Sequence, residues 1–86
     1  MNRADRIERI LSQAFAPSQL AISDDSAKHA GHAGARPGGQ THYSIRIVSD
    51  AFAGKTKVQA HQMVYVALAE EFKTGLHALA IDAKNT

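Results

Sequence analysis

The most restrictive feature of the sequence is the stretch from Phe52 to Phe72, which begins as a glycine turn and continues in a helical pattern. One face of this pattern repeats at helical spacing. It comprises Val58, Tyr65, Ala69 and Phe72, with His61 and Leu68 at its edge. We predict a long helix that packs this face on the core, runs to about Lys73 and is closed by Gly75. The ionisable imidazole ring of His61 is then expected to lie beside this apolar face.

The rest of the chain predicts one more long helix and three short strands. An apolar pattern of helical period lies between Asn2, a suitable N-cap, and Pro17, which stops a helix. Alternating apolar residues predict strands over residues 20–24, 41–48 and 77–83. The first two strands form an antiparallel hairpin, and the third lies parallel to the second because a helical crossover joins them.

Residues 27–40 contain four glycines, Pro37 and two histidines, but no apolar side chain larger than alanine. Nothing here anchors a buried element, so we predict a long mobile loop inside the hairpin. A short helical turn after Ser49 completes the order α-β-β-α-α-β. Residues 1–86 are therefore predicted to form a single α+β domain, with a three-stranded mixed sheet and the helices on one face.

Composition excludes several function classes. The 86 residues carry a net charge of +2 and no cysteine, which excludes disulfides, a thiol nucleophile and thiolate-only metal sites within the chain. No stretch approaches the roughly 18 apolar residues of a membrane span, and we expect a cytoplasmic protein without a membrane partner. There is no nucleophile elbow. The adjacent carboxylates Asp24-Asp25 and Glu70-Glu71 fit a strand end and a solvated helix face, so we expect no enzyme.

Five histidines are many for a chain of this length. Neutral imidazole is a good ligand for iron and zinc. His29 and His32 lie in the predicted loop, His42 and His77 on strands, and His61 on the long helix. Two loop ligands make an incomplete site, which suggests a metal shared with a partner. The alternative is that the loop histidines are solvated and His61 is an ordinary residue at the edge of the core.

The turn that begins at Gly54 is a second candidate site. It is not a phosphate loop, because Ser49 stands where that motif requires another glycine. The turn occupies the position that the GXXG loop has in KH domains, but Lys57 stands where that loop has its second glycine. Basic side chains here would contact a nucleic-acid backbone. The candidate contacts are Arg46, Lys55, Thr56 and Lys57.

Six segments, in order along nearly the whole chain, resemble the BolA family. They are DSAKH (25–29), GGQTHY (38–43), IVS (47–49), FAGK (52–55), HQMVY (61–65) and LAEE (68–71). The resemblance implies the family's small KH-like fold of class II, which has the element order already predicted from periodicity. Residues that are unremarkable one by one become specific as an ordered series.

The resemblance also implies a partner and a cofactor. BolA-like proteins associate with monothiol glutaredoxins and share a 2Fe-2S cluster, to which the glutaredoxin and its glutathione give sulfur ligands and the BolA protein gives nitrogen. By resemblance, His61 matches the histidine of the family's helix motif, and His29 matches a loop position that is histidine or cysteine. His32 is a possible substitute for His29. The free protein is then expected to lack a cofactor and to be a monomer or weak homodimer.

A second function stays open from the same resemblance. Family members have been described as DNA-binding transcriptional regulators of stress response and cell morphology. They would act through the helix-turn-helix-like segment around Lys55. Under that alternative the four candidate contacts named above, on the turn and the adjacent strand, meet DNA.

Overall fold

The computed structural model describes residues 2–25 and 41–85, and it confirms the predicted α+β fold with a three-stranded mixed sheet. The predicted loop of residues 27–40, with His29 and His32, lies outside the described residues. A single turn of 3₁₀ helix precedes the second α-helix. The elements are α1 (Arg3–Phe15), β1 (Gln19–Asp24), β2 (His42–Val48), the 3₁₀ helix (Asp50–Phe52), α2 (Lys57–Ala67), α3 (Ala69–Lys73) and β3 (Ala78–Lys84).

The sheet has the strand order β1-β2-β3, with β1 antiparallel and β3 parallel to the central strand. Both predicted pairings are confirmed. The register sets Ile22, Ile45 and Ile81 side by side on the face that packs against the helices. Because side chains alternate along a strand, the next row faces the other way. That row includes Arg46 and Asp82, whose side chains are largely exposed and 3.5 Å apart.

Local signals set the ends of the helices as predicted. The Asn2 side chain accepts a hydrogen bond from the Asp5 backbone amide, and Asp5 accepts one from Asn2 in return. A reciprocal cap of this kind satisfies two of the free amides at a helix start. Gly54 and Gly75, which flank the second helical region, have φ angles of 73° and 127°, where a side chain would be strained.

The inward face of the second helical region differs from the prediction. Ala60, Val64 and Leu68 are buried, whereas Val58 and Tyr65 are 65% and 41% exposed. The predicted stripe assumed one uninterrupted helix. The chain instead leaves helical geometry at Leu68, which has φ −100° and ψ 13° and divides α2 from α3. Val58 and Tyr65 both lie in α2, before the break, and the opposite face of that helix packs on the core, so the predicted stripe was wrong.

A buried ionic cluster ties α1 to α3. The Nη1 atom of Arg3 lies 2.8 Å from Oε1 of Glu71, and it also donates to the Thr74 hydroxyl at 2.9 Å. Arg6 donates to both carboxylate oxygens of Glu71. Arg3 and Glu71 are both buried. The prediction of a solvated face therefore holds for exposed Glu70 and is wrong for Glu71.

Candidate metal centre and nucleic-acid interface

His61 lies in the first half of α2 and is half-buried. Its Nε2 atom is enclosed and has no hydrogen-bond partner among the described residues. A buried polar atom without a partner costs free energy, and Nε2 is the one atom of this ring in that position. In this ring orientation Nδ1 is the nitrogen left to meet a metal or partner at the surface.

Two further histidines form a pair that the sequence did not predict. Because β2 and β3 are parallel, His42 and His77 come to the same end of the sheet, with ring centroids 5.2 Å apart. His42 is buried and its Nδ1 lies 2.9 Å from the Thr41 hydroxyl, whereas His77 is exposed. The signal was present in the sequence, since each histidine starts one of two strands predicted to be parallel.

The histidine pair lies where the segment 26–40 leaves and rejoins the sheet. The Asp25 amide donates to the His42 carbonyl at 2.7 Å, and the His77 amide donates to the Thr41 carbonyl at 2.8 Å. His29 follows Asp25 by four residues in the sequence and lies outside the described residues.

His61, on α2, lies beside a later part of β3 than the histidine pair does. Its neighbour Ala60 lines a cleft with Ala83, near the end of that strand, while Tyr65 one turn later reaches the Leu79 carbonyl at 3.5 Å. The helix therefore runs opposite to β3 and places His61 away from the strand's start. Within residues 2–25 and 41–85, no three His, Cys, Asp or Glu side chains are grouped so that they could hold a metal ion.

Three of the four predicted nucleic-acid contacts lie together. Lys55, Thr56 and Lys57 line one cleft at the start of α2, and Lys84 joins them from the end of β3. The sequence analysis missed Lys84 because only the crossover brings the end of β3 beside the start of α2. The Thr56 hydroxyl accepts a hydrogen bond from the Gln59 amide, so this residue has a capping role already.

Arg46 does not join this cleft. It lies on the opposite, uncovered face of the sheet in a shallow depression with Asp82, its ionic neighbour. The element that precedes α2 is the single 3₁₀ turn rather than a full helix. The helix-turn-helix-like segment therefore consists of that turn, the Gly54 bend and α2.

The ionisable groups between α1 and the sheet are held in one charge state. Burial, and then the Asp24 carboxylate, raise the pKa of Tyr43 to about 12, so its phenol stays neutral at physiological pH. The hydrogen bond to Glu71 raises the pKa of the Arg6 guanidinium above its already high usual value. These groups therefore stabilise the fold without titrating near neutrality.

Comparison with known proteins decides the family. Residues 11–86 match the family model described as "BolA-like protein". This chain belongs to the BolA-like family. The match confirms the resemblance read from the six ordered segments, and the last five residues of α1 together with every later element lie inside it.

This BolA-like protein is similar to solved and curated proteins from plants and bacteria. The BolA domain of SufE1 from Arabidopsis thaliana shares 45% identity and a TM-score of 0.88, covering 98% of this chain and 92% of that one. Protein BOLA1, chloroplastic, from Arabidopsis thaliana is 46% identical over 96% of this chain. The E. coli DNA-binding transcriptional regulator BolA is 40% identical over 90% of this chain and 70% of its own length.

The BolA-like chain spans 53% of the length of BOLA1 and 24% of a second Arabidopsis relative. One of these relatives is chloroplastic by name and another comes from a bacterium, so the cytoplasmic location expected from the sequence stays a prediction. None of the helices in the described ranges 2–25 and 41–85 has the length and apolar character needed to cross a bilayer.

Proposed function

We propose that this BolA-like protein is a binding module without catalytic activity, which pairs with a monothiol glutaredoxin to hold, transfer or sense a 2Fe-2S cluster in iron homeostasis. The observation that carries the proposal is the orientation of the half-buried His61 imidazole on α2, which encloses Nε2 and leaves Nδ1 for a ligand at the surface, in a chain of the BolA-like family. A nitrogen ligand held on a helix keeps its position while a partner docks.

The donor chemistry of the chain fits such a cluster. Imidazole nitrogen replaces thiolate on one iron of Rieske-type 2Fe-2S centres and raises their reduction potential. The chain has five histidines and no cysteine, so sulfur ligands would come from the glutaredoxin and its glutathione. We propose His61 and His29 as the nitrogen ligands, with His32 as the substitute for His29. When bound, the cluster supplies one-electron redox chemistry.

The first test uses visible absorption and circular dichroism of the protein mixed with a glutaredoxin that carries a reconstituted 2Fe-2S cluster. We expect the wild type to change the spectra, and His61→Ala and His29→Ala each to remove most of that change. Far-ultraviolet circular dichroism should show an unchanged fold. The protein alone should bind iron weakly.

His77→Ala is the matched control, because His77 is an exposed histidine on a different element. We expect it to leave the spectra of the complex unchanged. If His77→Ala removes the change and His61→Ala does not, the ligand belongs to the histidine pair at the start of β3 while the function stands. If the wild type leaves the cluster spectra unaltered, the iron-sulfur function is rejected.

A second candidate is a DNA-binding regulator, favoured by the name of the E. coli relative and by the three lysines of the cleft at the start of α2. The Asp82 carboxylate also lines this cleft and lies 3.8 Å from the third of these lysines, so the first two are the better candidate contacts. Each phosphate contact releases counterions. We expect Lys55→Gln or Lys57→Gln to lower the slope of log affinity against log salt by about 1. Lys73→Gln, an exposed lysine paired with Glu70, is the control. Fluorescence anisotropy of labelled duplex DNA measures both, and equal slopes in all variants would reject this candidate.

A further inference from the structure

A second surface lies between α1 and α2 and shares only Lys55 with the cleft at the start of α2. A cavity of about 480 Å³ opens there, and most of its lining is apolar. We refer to it as the α1–α2 groove. It is lined by Phe15, Lys55, Gln59, Gln62, Met63 and Val66.

The groove and His61 lie on opposite flanks of α2. Ala60 and Val64 point inward to the core. At 100° per residue, His61 and Tyr65 lie to one side of that inward direction, which is the side that faces β3. Residues 59, 63 and 66 lie to the other side, toward Phe15 at the end of α1. A partner in the groove would therefore leave the candidate metal ligand uncovered.

Apolar surface in the groove is exposed to solvent. Val66 is 76% exposed, and it adjoins the half-buried side chains of Met63 and Phe15. A contiguous apolar surface with a polar rim is typical of a protein interaction site. Methionine fits such a site well, because its flexible thioether adapts to different side chains.

The polar rim of the groove favours an acidic partner. Lys55 is the one charged residue of its lining, and its ammonium pairs with no carboxylate among residues 2–25 and 41–85. The Gln62 amide likewise makes no hydrogen bond within the described part of the chain. The Gln59 carbonyl oxygen, by contrast, accepts from the Thr56 amide. A carboxylate of the partner would form an ion pair with Lys55, the one charged side chain in the described lining of the groove.

We propose that the α1–α2 groove binds an acidic amphipathic segment of another protein. Its apolar side chains would pack on Phe15, Met63 and Val66, and a carboxylate would pair with Lys55. Lys55 lies just before α2, and the helix rises about 14 Å from its first residue to Val66. The groove therefore matches about two and a half turns of a bound helix, with the carboxylate near one end.

The test is a selection of random 16-residue peptides displayed on phage against the folded protein. Peptides enriched in both acidic and apolar residues are expected. The affinity of the most enriched synthetic peptide is then measured by fluorescence anisotropy. Val66→Ser should weaken it about tenfold through lost apolar contact, and Lys55→Gln about threefold through the lost ion pair.

Two controls match these variants in residue type, helix region and exposure. Val58→Ser changes the exposed valine of the other flank, and Lys57→Gln changes the neighbouring lysine. Each should alter peptide affinity by less than about twofold, since neither residue lines the groove. All four sites are exposed, so folding should survive.

Three results would overturn the proposal. The first is enrichment of basic or uncharged peptides, or no enrichment at all. The second is an equal loss of affinity with Val58→Ser and Val66→Ser, which would place the peptide elsewhere. The third is a homodimer in sedimentation experiments that Val66→Ser dissociates, which would make a second copy of this chain the occupant of the groove.

Discussion

Glu71→Ala should lower the free energy of unfolding by about 3–5 kcal/mol, because it leaves the buried Arg3 guanidinium without its carboxylate. The Arg3 and Glu71 side chains are 8% and 7% exposed, and their charged atoms are 2.8 Å apart. A charge so far from water depends on its partner. Equilibrium unfolding in urea measures the loss as a lower midpoint at constant slope.

Glu70→Ala is the control for this prediction. Glu70 is the preceding residue, and it pairs with Lys73 at the surface, where the side chains are 79% and 70% exposed. Exposed pairs contribute at most about 1 kcal/mol, so this variant should unfold close to the wild type. Similar midpoints for the two variants would show that the Arg3–Glu71 pair does not hold α1 against α3.

Leu68→Ala should lower the free energy of unfolding by about 2–5 kcal/mol, the range for a fully buried leucine that leaves a cavity. Leu68 has no exposed surface and lies at the break between α2 and α3. Its side chain packs in the core shared by the helices and the central strand. Thermal and urea unfolding followed by circular dichroism measure the change.

Val66→Ala separates this effect from a general weakening of the helix. Val66 precedes Leu68 by two residues, but its side chain is 76% exposed. Alanine is also the better helix former, so the free energy of unfolding should change by less than about 0.5 kcal/mol. A large loss with Val66→Ala would contradict the inward face of α2 described above.

The candidate functional surfaces were only partly predictable. Lys55, Thr56 and Lys57 are consecutive in sequence, so their shared cleft follows from one turn. The presence of Lys84 in the cleft depends on how β3 returns beside α2. The exclusion of Arg46 depends on which face of the sheet its side chain occupies. The assignment of His61 and His29 as cluster ligands came from family resemblance and stays a proposal.

By itself the sequence determined the strands, their pairing and the limits of the helical regions, but not the division of the second region into α2 and α3. The Asn2–Asp5 cap, Pro17 and the glycines at 54 and 75 act within a few residues of the helix ends that they define. Strand alternation likewise needs only neighbouring residues, and the parallel pairing of β3 follows from the helical crossover. These signals are local or topological, which is why they are readable without a structure.

Only the tertiary structure decided which side chains are buried or brought together. Packing of α2 through Ala60 and Val64 left Val58 and Tyr65 exposed, and packing of α1 against α3 buried Glu71 beside Arg3. The sheet register brought His42 to His77 in the same way. Burial and contact depend on residues distant in sequence, and a pattern of apolar positions does not contain the angle at which a helix meets a sheet.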